Sequence, residues 1–521
     1  MLHQVNKKIK CLISFIVLLL SALYVMQFKK HVEINSIAST TRKNIAPAQK
    51  NNEQKLSKLA SMTLQNAISS LSDQNRNIYV SMVDYGFLDV AINLYLTSFK
   101  RLGIKNYLFV ALNQRCCDVL DARNINCVRY FSEYEAGLTA SNYGTKTYKK
   151  KTHFKSKLIL ELLKLGFNPF FLDADIVLIR NIGSTVFKLG QRFDMVAQRD
   201  VSAMNTGFYY GKSTAKLVDL FTVFVHAMLL PKIGEKSEQQ LVNTVLRNHT
   251  NVRIYYLDMN RVCPGVKYWV RHKIHFSSMH PWKQAGAPTT PDVDVVHNNW
   301  IVSKQAKIYR FKESLMWLVD DNGYYSSTTR KYLKYNNPYV SGTGRGKALE
   351  LEALQNALSI GYLLNRTVIL PAFHCHETRD RICTRNDQEC SLLNHYHVAT
   401  FDQFFTNSYR EHVFLSHDLV PETIRQSQSK TFFIETESQD FTSTEVKVEG
   451  HGIAQSLMPK NKQRGATITE ITEWFGDVKE HILVFHDLYG AFAGFDDSTS
   501  FADINHCLRH AWKKCSYGQS C

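Results

Sequence analysis

Short apolar runs alternate with helical patterns between residues 77 and 247, and this alternation constrains the fold more than any other feature of the chain. Short apolar runs favour buried strands, whereas apolar residues spaced three and four apart favour helices. Strands are predicted at 77–83, 107–112, 127–131, 170–179, 194–198 and 207–211, and helices at 88–102, 153–165, 217–230 and 238–247. Strands separated by helices usually pair in parallel, so the sequence predicts an open, mostly parallel α/β sheet flanked by helices.

The pattern breaks near residue 335, where Lys, Tyr, Asn and Pro are frequent, and a second patterned region follows. This region has a glycine-rich segment at 342–346, a predicted helix at 349–364 and a predicted strand at 367–370. At 521 residues the chain is too long for one ordinary domain. We therefore predict a larger α/β domain at 77–335 and a smaller α/β accessory domain at 336–521.

Residues 11–28 form an uncharged apolar run that is long enough to cross a bilayer as a helix. A cleaved signal peptide is the alternative, but the apolar run continues past Ser21 without a small-x-small cleavage site. Nearly balanced lysines on the two flanks favour a cytoplasmic N-terminus only weakly. We predict a tail at 1–10, a transmembrane signal anchor at 11–28, and a flexible or weakly helical stem at 29–76.

The cysteine content fits an oxidising compartment. Eleven cysteines are present, and Cys11 lies in the predicted anchor, which leaves an even number for pairing. One later segment has zinc-ligand residue types, although disulfides are favoured in such a compartment: His374, Cys375, His376, Cys383 and Cys390. Three further cysteines are predicted to staple the end of the accessory domain: Cys507, Cys515 and Cys521.

Two N-x-[ST] patterns, at Asn248 and Asn365, are glycosylation acceptors of the kind found in secretory proteins. Asn365 lies beside a predicted strand, so we expect it to be buried and unmodified.

The formal net charge of +17 raises the question of a nucleic-acid partner. The basic residues are scattered, however, and the sequence has no Arg-rich helix, RNP-like motif or zinc-finger spacing. We therefore predict no nucleic-acid partner, and a basic surface that attracts anionic nucleotides, glycans or lipid headgroups.

Asp173 and Asp175 lie two residues apart in an otherwise apolar run, N-P-F-F-L-D-A-D-I-V-L-I-R-N. In a strand both carboxylates would point to the same face, and burying two like charges together is costly without a cation between them. Mn²⁺ or Mg²⁺, with open positions for phosphate oxygens, suits such a pair. The alternative is that the carboxylates cap the next turn or pair with Arg180. The pattern predicts a metal and diphosphate site at a strand end.

Two later segments supply further candidate residues. Asn205 and Gly207, in M-N-T-G-F-Y-Y-G, would let a backbone approach a sugar, although a plain β-turn also favours them. His297, in D-V-V-H-N-N-W-I, would complete an Asp/Asp/His metal set, although a lone histidine is more often a structural hydrogen-bonder. Basic residues follow that would neutralise a departing diphosphate or, alternatively, line a solvated face: Lys304, Lys307 and Arg310.

The ordered segments F-L-D-A-D, N-T-G-F and H-N-N-W-I, with the earlier F-K-S-K-L helix, resemble the nucleotide-diphospho-sugar transferases of glycosyltransferase family 77 over residues 78–320. The resemblance implies a GT-A fold, a Golgi type II membrane protein, and retaining transfer from a nucleotide sugar. It also implies that Asp173 and Asp175 bind Mn²⁺ and the nucleotide diphosphate, and that His297 is the distal metal ligand. Two residues depart from the pattern of these proteins. Asn113 stands where they often carry Asp, and Glu238–Gln239 stands where Asp-Gln is expected.

The candidate residues form three overlapping sets. The catalytic candidates are Asp173, Asp175, Gln198, Glu238 and Gln239. The substrate-binding candidates are Asp84, Lys157, Asn205, Thr206, Gly207, Asn298, Trp300 and Lys304. The metal candidates are Asp173, Asp175 and His297. No protein nucleophile stands out beyond these polar residues and Asp200, so a same-face substitution without a covalent intermediate stays open.

We therefore predict a glycosyltransferase that uses a divalent metal to move a sugar from a UDP-linked donor to a glycan or glycoprotein acceptor with retention. We expect it in the Golgi membrane, with its catalytic domain in the lumen. Two alternatives stay open. One is a metal-dependent nucleotide-sugar hydrolase, and the other is a membrane-anchored glycan-binding or scaffold protein with a degenerate catalytic fold.

Overall fold

The computed structural model describes residues 59–130, 144–201, 203–230, 236–249, 251–271, 292–338, 346–374, 389–437 and 455–495, with 447–448, 452–453, 504 and 507 in addition. The predicted tail and anchor, and most of the predicted stem, lie outside the described residues. Within those ranges, no helix is long and apolar enough to cross a membrane.

The first half of the described chain is built on a seven-stranded sheet with the order β3-β2-β1-β4-β7-β6-β8. Its strands and those of a small neighbouring sheet are β1 (Asn77–Val83), β2 (Tyr107–Ala111), β3 (Cys127–Arg129), β4 (Asn168–Leu172), β5 (Ile176–Leu178), β6 (Met195–Asp200), β7 (Ala203–Gly211), β8 (Ile254–Leu257), β9 (Val262–Pro264) and β10 (Val295–His297). In the large sheet only β7 runs antiparallel to its neighbours. The predicted open, mostly parallel α/β architecture is confirmed, and the carboxyl ends of β1, β4 and β6 share one edge.

Helices cover this sheet: α1 (Leu64–Leu71), α2 (Leu88–Leu94), α3 (Gln114–Asp121), α4 (Lys146–Lys164), α5 (Gly183–Gly190), α6 (Ala215–Leu229), α7 (Glu238–Asn248) and α8 (Lys304–Glu313). Helix α1 lies inside the predicted stem, yet Leu64 and Ile68 are buried in the core beside Val80 and Leu108. Apolar residues four apart share one face of a helix, so this segment packs on the sheet and the folded part begins before residue 77.

The predicted strand at 170–179 is wrong as a single strand. The chain leaves the large sheet after β4 and re-enters extended structure at β5, which pairs antiparallel with β10 in a three-stranded sheet of order β5-β10-β9. Because β4 and β5 pair with different partners, the chain turns between them. Asp173 and Asp175 therefore lie in a turn, and their carboxylates converge through that turn rather than through strand alternation.

The second half is built on a six-stranded sheet of order β15-β12-β11-β20-β16-β19, in which all neighbours are parallel. Its strands and two small hairpins are β11 (Tyr332–Tyr335), β12 (Thr367–Ile369), β13 (Phe373–His374), β14 (Glu389–Cys390), β15 (Tyr409–Arg410), β16 (Gln428–Ile434), β17 (Lys447–Val448), β18 (Gly452–Ile453), β19 (Gln455–Leu457) and β20 (Ile482–Phe485). The helices are α9 (Gly346–Leu363), α10 (Leu392–His395), α11 (Val398–Phe405), α12 (Glu422–Gln426) and α13 (Ile468–Phe475).

The two large sheets share a hydrophobic core. One buried cluster contains Phe170 and Val295 from the first half together with Tyr332, Phe414 and Ile482 from the second. Strand β11 ends at the predicted boundary at residue 335 and already belongs to the second sheet, so the change of sheet falls before β11. The two predicted domains are therefore joined through buried apolar side chains, and their division at residue 335 stays a prediction.

Four described cysteines, Cys116, Cys117, Cys127 and Cys263, are buried thiols outside any disulfide. Burial raises the pKa of the Cys263 thiol to about 12, which keeps it protonated. The cysteines of the predicted zinc or disulfide cluster and the predicted terminal staple lie largely outside the described residues, so those pairings stay predictions.

Asn365 is exposed, contrary to the expectation from its position beside β12. Its φ of 50° places it in a left-handed turn between α9 and β12, which carries the side chain away from the sheet. Asn248, at the end of α7, is exposed as well. Both predicted glycosylation acceptors are thus on the surface.

Candidate metal centre at the end of strand β4

Two carboxylates and an imidazole converge where β4 ends. His297 is the last residue of β10 and pairs with Ile176 of β5, directly after the turn that holds Asp173 and Asp175. Its Nε2 atom lies 3.5 Å from Oδ1 of Asp175 and 3.9 Å from Oδ2 of Asp173. One ligand atom from each residue lies within 4.8 Å of the others, which is close enough for one ion to contact all three.

Gln198 fixes the orientation of the His297 ring. The amide of this fully buried residue places Oε1 2.8 Å from His297 Nδ1, while its Nε2 donates to the Val262 carbonyl at 3.3 Å. With Nε2 of Gln198 donating to a carbonyl, its Oε1 is the acceptor, so His297 Nδ1 carries the proton. The lone pair of His297 Nε2 then faces the two carboxylates, as a metal ligand requires. Gln198 therefore orients the ring of His297, and its predicted catalytic role stays a prediction.

Gly207 leaves the space in which the three groups meet. A Cβ atom at this position would lie 2.3 Å from Oδ2 of Asp173 and 2.6 Å from Cε1 of His297. The Gly207 carbonyl accepts a hydrogen bond from the Asp173 backbone N–H at 2.7 Å, and its own N–H donates to Oδ1 of Asn205 at 2.7 Å. The Asn205–Gly207 segment is thus part of the wall of the site, and its predicted contact with the donor sugar stays a prediction.

Two lysines neutralise the carboxylates. The Lys307 ammonium forms an ion pair with Oδ2 of Asp175 and donates to the Asn298 carbonyl at 2.7 Å. Burial raises the pKa of Asp175, but the ion pair with Lys307 outweighs burial and holds that pKa well below its usual range. The Lys155 ammonium lies 3.5 Å from Oδ1 of Asp173, at the opposite side of the pair.

Buried Lys155 is held by two more contacts, the carboxylate of Glu238 at 2.7 Å and the Thr206 carbonyl at 3.1 Å. Burial alone would lower the pKa of Lys155, but Asp173 and Glu238 raise it, so the ammonium stays charged. The second oxygen of Glu238 accepts from the Ser156 hydroxyl at 2.9 Å. Both carboxylate oxygens of Glu238 are therefore occupied, and this predicted catalytic residue is a buried counter-ion for Lys155.

Three predicted substrate-binding residues contact groups other than Asp173 and Asp175. Lys157 is exposed on the outer face of α4, with its ammonium 5.5 Å from the Phe154 ring centre, and Lys155 takes its place in the site. Lys304 pairs with Asp89 at 2.8 Å. The lysine that pairs with Asp175 is Lys307, about one helical turn later. Asp84 pairs with Lys151 and accepts from the Phe87 backbone N–H at 3.1 Å, which closes the turn after β1.

The phase of α4 is the signal that would have identified Lys155. Buried Leu158, Ile159 and Leu162 mark the inner face of the helix, and Lys155 precedes them by three, four and seven residues. Lys157 precedes them by one, two and five, which places it on the outer face.

The remaining predicted residues form a second group beside the carboxylates. Gln239 donates from Nε2 to Oδ2 of Asp200 at 2.9 Å and accepts from the Thr206 backbone N–H at 3.4 Å. The Trp300 indole N–H donates to Oδ1 of Asp200 at 2.7 Å. Asn298 is fully buried, and its backbone N–H donates to the Asp175 carbonyl at 2.9 Å. Asn298 therefore links the Asp173–Asp175 turn to the loop after β10.

The donor set fits a hard divalent cation. Two carboxylate oxygens and one imidazole nitrogen are ligands that suit Mn²⁺, and Mg²⁺ shares the preference for carboxylates. The Asp173 side chain is 38% exposed, which leaves an open side for ligands from solvent or substrate. The ammonium of Lys307 pairs with Oδ2 of Asp175, whereas Oδ1 of the same carboxylate faces His297.

Residues 102–311 match the family described as "Nucleotide-diphospho-sugar transferase". The chain is 21% identical over 287 residues to the beta-arabinofuranosyltransferase RAY1 of Arabidopsis thaliana, which covers 49% of this chain and 50% of that protein. It is also 21% identical over 293 residues to the UDP-galactose:fucoside alpha-3-galactosyltransferase of Dictyostelium discoideum, covering 47% and 43%. The chain spans about half the length of the curated relatives it matches.

Solved structures of glycosyltransferases give weaker likenesses. The galactosyltransferase LgtC in complex with donor and acceptor sugar analogues is 12% identical, with a TM-score of 0.28 over 42% of this chain and 86% of that chain. The glycosyltransferase GlyE of Streptococcus pneumoniae TIGR4 is 12% identical, with a TM-score of 0.32 over 57% and 74%. Scores this low support no argument about fold or chemistry.

Proposed function

From the match of residues 102–311 to the nucleotide-diphospho-sugar transferases, we propose that this chain is a GT-A-like glycosyltransferase. It transfers a sugar from a UDP-linked donor to a glycan or glycoprotein acceptor, with retention and with help from a divalent metal, Mn²⁺ or Mg²⁺. The observation that carries the proposal is the convergence of Asp173, Asp175 and His297 within 4.8 Å.

Asp173, Asp175 and His297 would hold the cation. When bound, it supplies positive charge that stabilises the leaving diphosphate. Lys307, whose ammonium pairs with Asp175, would contact a diphosphate oxygen instead if a cation took over that carboxylate. In this proposal Lys307 exchanges one anion for another as the donor binds.

We propose a same-face substitution, which needs no nucleophilic carboxylate from the protein. Glu238 is closed off by Lys155 and Ser156, and Asp200 already accepts from Trp300 and Gln239. In the proposed step the bond between the sugar and the diphosphate oxygen breaks as the acceptor oxygen forms its bond on the same face of the sugar. The acceptor proton passes to the leaving diphosphate, and Gly207 and Asn205 border the transferred sugar.

The test is a screen of UDP-galactose, UDP-xylose and UDP-arabinose turnover by the purified chain with Mn²⁺. We expect Asp175→Ala to abolish Mn²⁺-dependent nucleotide binding and turnover, whereas Asp219→Ala, an exposed aspartate on α6, leaves both unchanged. Normal nucleotide binding by Asp175→Ala would refute the metal site and favour a binding or scaffold protein. Release of free sugar that exceeds transfer in the presence of acceptors would favour the hydrolase.

We further propose a type II orientation in the Golgi membrane, supported by the apolar run at 11–28. In that orientation Asn248 and Asn365 face the lumen, and both are exposed. We expect Asn248→Gln and Asn365→Gln each to remove one glycosidase-sensitive mass shift from the protein expressed in its own host. An unglycosylated protein that is digested by protease added to sealed Golgi vesicles would contradict the orientation.

A further inference from the structure

Trp300 presents a half-exposed indole beside the candidate metal centre. Its side chain is 48% exposed, which is unusual for the largest apolar residue. Its φ of 58° lies in the left-handed region, where a bulky residue is strained. Trp300 is thus both exposed and strained, three residues after a candidate metal ligand. We infer that its aromatic face serves a function at that place.

Asp200 holds the indole in place. The Trp300 N–H donates to one carboxylate oxygen at 2.7 Å, and the other oxygen accepts from Gln239 at 2.9 Å and from Asn205 at 3.3 Å. The next residue, Val201, has a φ of 54° in the tight turn between β6 and β7, which fixes the position of Asp200. Among the described residues, no other aromatic ring or cation stacks on the Trp300 indole, whose side chain is 48% exposed.

The sheet places the Trp300 indole and Asp200 on one side of the metal centre. Strand β4 ends at the metal centre, and the carboxyl ends of its parallel neighbours β1 and β2 lie on one side of it. Asp200 ends β6, which lies two strands away on the other side, about 10 Å from β4 at ordinary strand spacing. In open α/β sheets a nucleotide binds in the crevice where the strand order reverses, here between β1 and β4. The Trp300 side is therefore left for the second substrate.

We propose that Trp300 and Asp200 form the acceptor subsite and that its occupant is a pyranose ring, an inference that rests on the proposed glycosyltransferase function. The C–H groups on one face of a pyranose carry partial positive charge and pack on the negative face of an indole. The hydroxyl groups at the ring edge meet the carboxylate of Asp200 and the amide of Gln239. A few polar groups beside one apolar surface are the usual composition of a small-ligand site.

The experiment measures donor hydrolysis and sugar transfer separately on the full chain with Mn²⁺. The donor is the UDP-sugar that the wild type consumes fastest, and the acceptors are a panel of p-nitrophenyl α- and β-pyranosides. For Trp300→Ala we expect kcat/KM for the best acceptor to fall about tenfold or more, whereas the KM for the donor and the hydrolysis rate change less than about twofold. Trp300→Phe, which keeps an aromatic face but loses the N–H, should recover most of the transfer.

Tyr362→Ala is the matched control, because Tyr362 is a 73% exposed aromatic residue on α9, in the second half of the chain. It should leave transfer and hydrolysis unchanged. Equal losses of hydrolysis and transfer in Trp300→Ala would overturn the inference, since Trp300 would then serve the donor. Unchanged transfer in Trp300→Ala, or no rescue by Trp300→Phe, would also overturn it.

Two outcomes with the wild type separate this inference from its premise. Donor hydrolysis without transfer to any pyranoside would refute the pyranose subsite and leave the donor site standing. No consumption of any UDP-sugar would refute the proposed function itself, and the acceptor subsite with it.

Discussion

Gly207 occupies the position on β7 that faces Asp173 and His297, with no room for a side chain. The distances of 2.3 Å and 2.6 Å from an added Cβ to these two residues are far below van der Waals contact. Hydrogen bonds hold the Gly207 backbone in place, because its carbonyl accepts from the Asp173 N–H and its own N–H donates to Oδ1 of Asn205. An added methyl group therefore has to push the carboxylate or the imidazole away.

We predict that Gly207→Ala lowers metal-dependent turnover by about a hundredfold or more, because displacing one ligand by about 1 Å spoils the shared geometry. The measurement is kcat together with the Mn²⁺ concentration needed for half-maximal rate. Gly211→Ala is the matched control on the same strand, since its Cβ would meet only flexible leucine side chains, the nearer being Leu217 at 3.0 Å. Normal Mn²⁺ dependence in Gly207→Ala would contradict the assigned ligand set.

At the scale of elements, helix α8 connects the metal centre to the second half of the molecule. Lys307, one turn into the helix, pairs with Asp175, and Arg310 donates to the Asn299 carbonyl at 3.1 Å, in the loop after His297. At the far end of the helix, Glu313 lies 3.8 Å from His412, which follows β15. A single helix thus carries contacts to both halves of the molecule.

We predict opposite effects of Lys307→Met on the two ligands of the site. Binding of Mn²⁺ alone should become tighter, because the ammonium that competes for Asp175 is gone. Binding of UDP in the presence of Mn²⁺ should weaken about 10- to 100-fold, the value of one charge-assisted hydrogen bond to phosphate. Isothermal titration calorimetry measures both affinities.

Lys304→Met is the control for this pair of titrations, because Lys304 lies on the same helix and pairs with Asp89 instead. Neither affinity should change in that variant. If Lys307→Met weakened Mn²⁺ and UDP binding alike, Lys307 would be a structural residue and its exchange between carboxylate and diphosphate would be refuted.

At the scale of the whole molecule, the junction between the two sheets buries ionisable groups. Glu313 is 2% exposed, and burial raises its pKa to about 8 against the opposing hydrogen bonds from Ser391 and Tyr309. Burial lowers the pKa of His412 to about 4. At neutral pH Glu313 is therefore protonated and His412 is uncharged, so these two groups meet as neutral partners.

This junction makes the free energy of unfolding depend on pH. Between the unfolded pKa of Glu313, 4.5, and its folded pKa of about 8, the folded state binds a proton that the unfolded state has released. The contribution of Glu313 to stability therefore falls as pH rises through this window, by up to about 1.4 kcal/mol per pH unit, and levels off above it. Below pH 6.5 the lowered pKa of His412 contributes in the opposite direction.

We predict that Glu313→Gln, which cannot ionise, removes this dependence. The difference in unfolding free energy between variant and wild type, measured by urea denaturation, should grow in favour of the variant from pH 5 to pH 8. Glu422→Gln on α12 is the control, because its carboxylate is 61% exposed. A difference that stays constant across this range would mean that Glu313 is already ionised in the folded protein.

The sequence alone predicted a large share of the fold and the chemical types in the site. Strands β1, β2 and β6 and helices α6 and α7 were recognisable because periodicity is a local property of the chain. Asp173, Asp175 and His297 were recognisable because two acidic residues and a histidine stand out in apolar surroundings. Local patterns did not distinguish Lys155 from Lys157, or Lys304 from Lys307, although the phase of buried residues in α4 would have separated the first pair.

The amino-acid sequence by itself determined the α/β class and the three residues that can hold a divalent cation. Only the tertiary structure decided how these residues meet, through a turn between β4 and β5 rather than along one strand. It also decided that Gln198 orients His297 and that Glu238 is occupied by Lys155 and Ser156. The physical reason is that these contacts join residues tens of positions apart, and sheet register and burial, which no local pattern contains, bring them together.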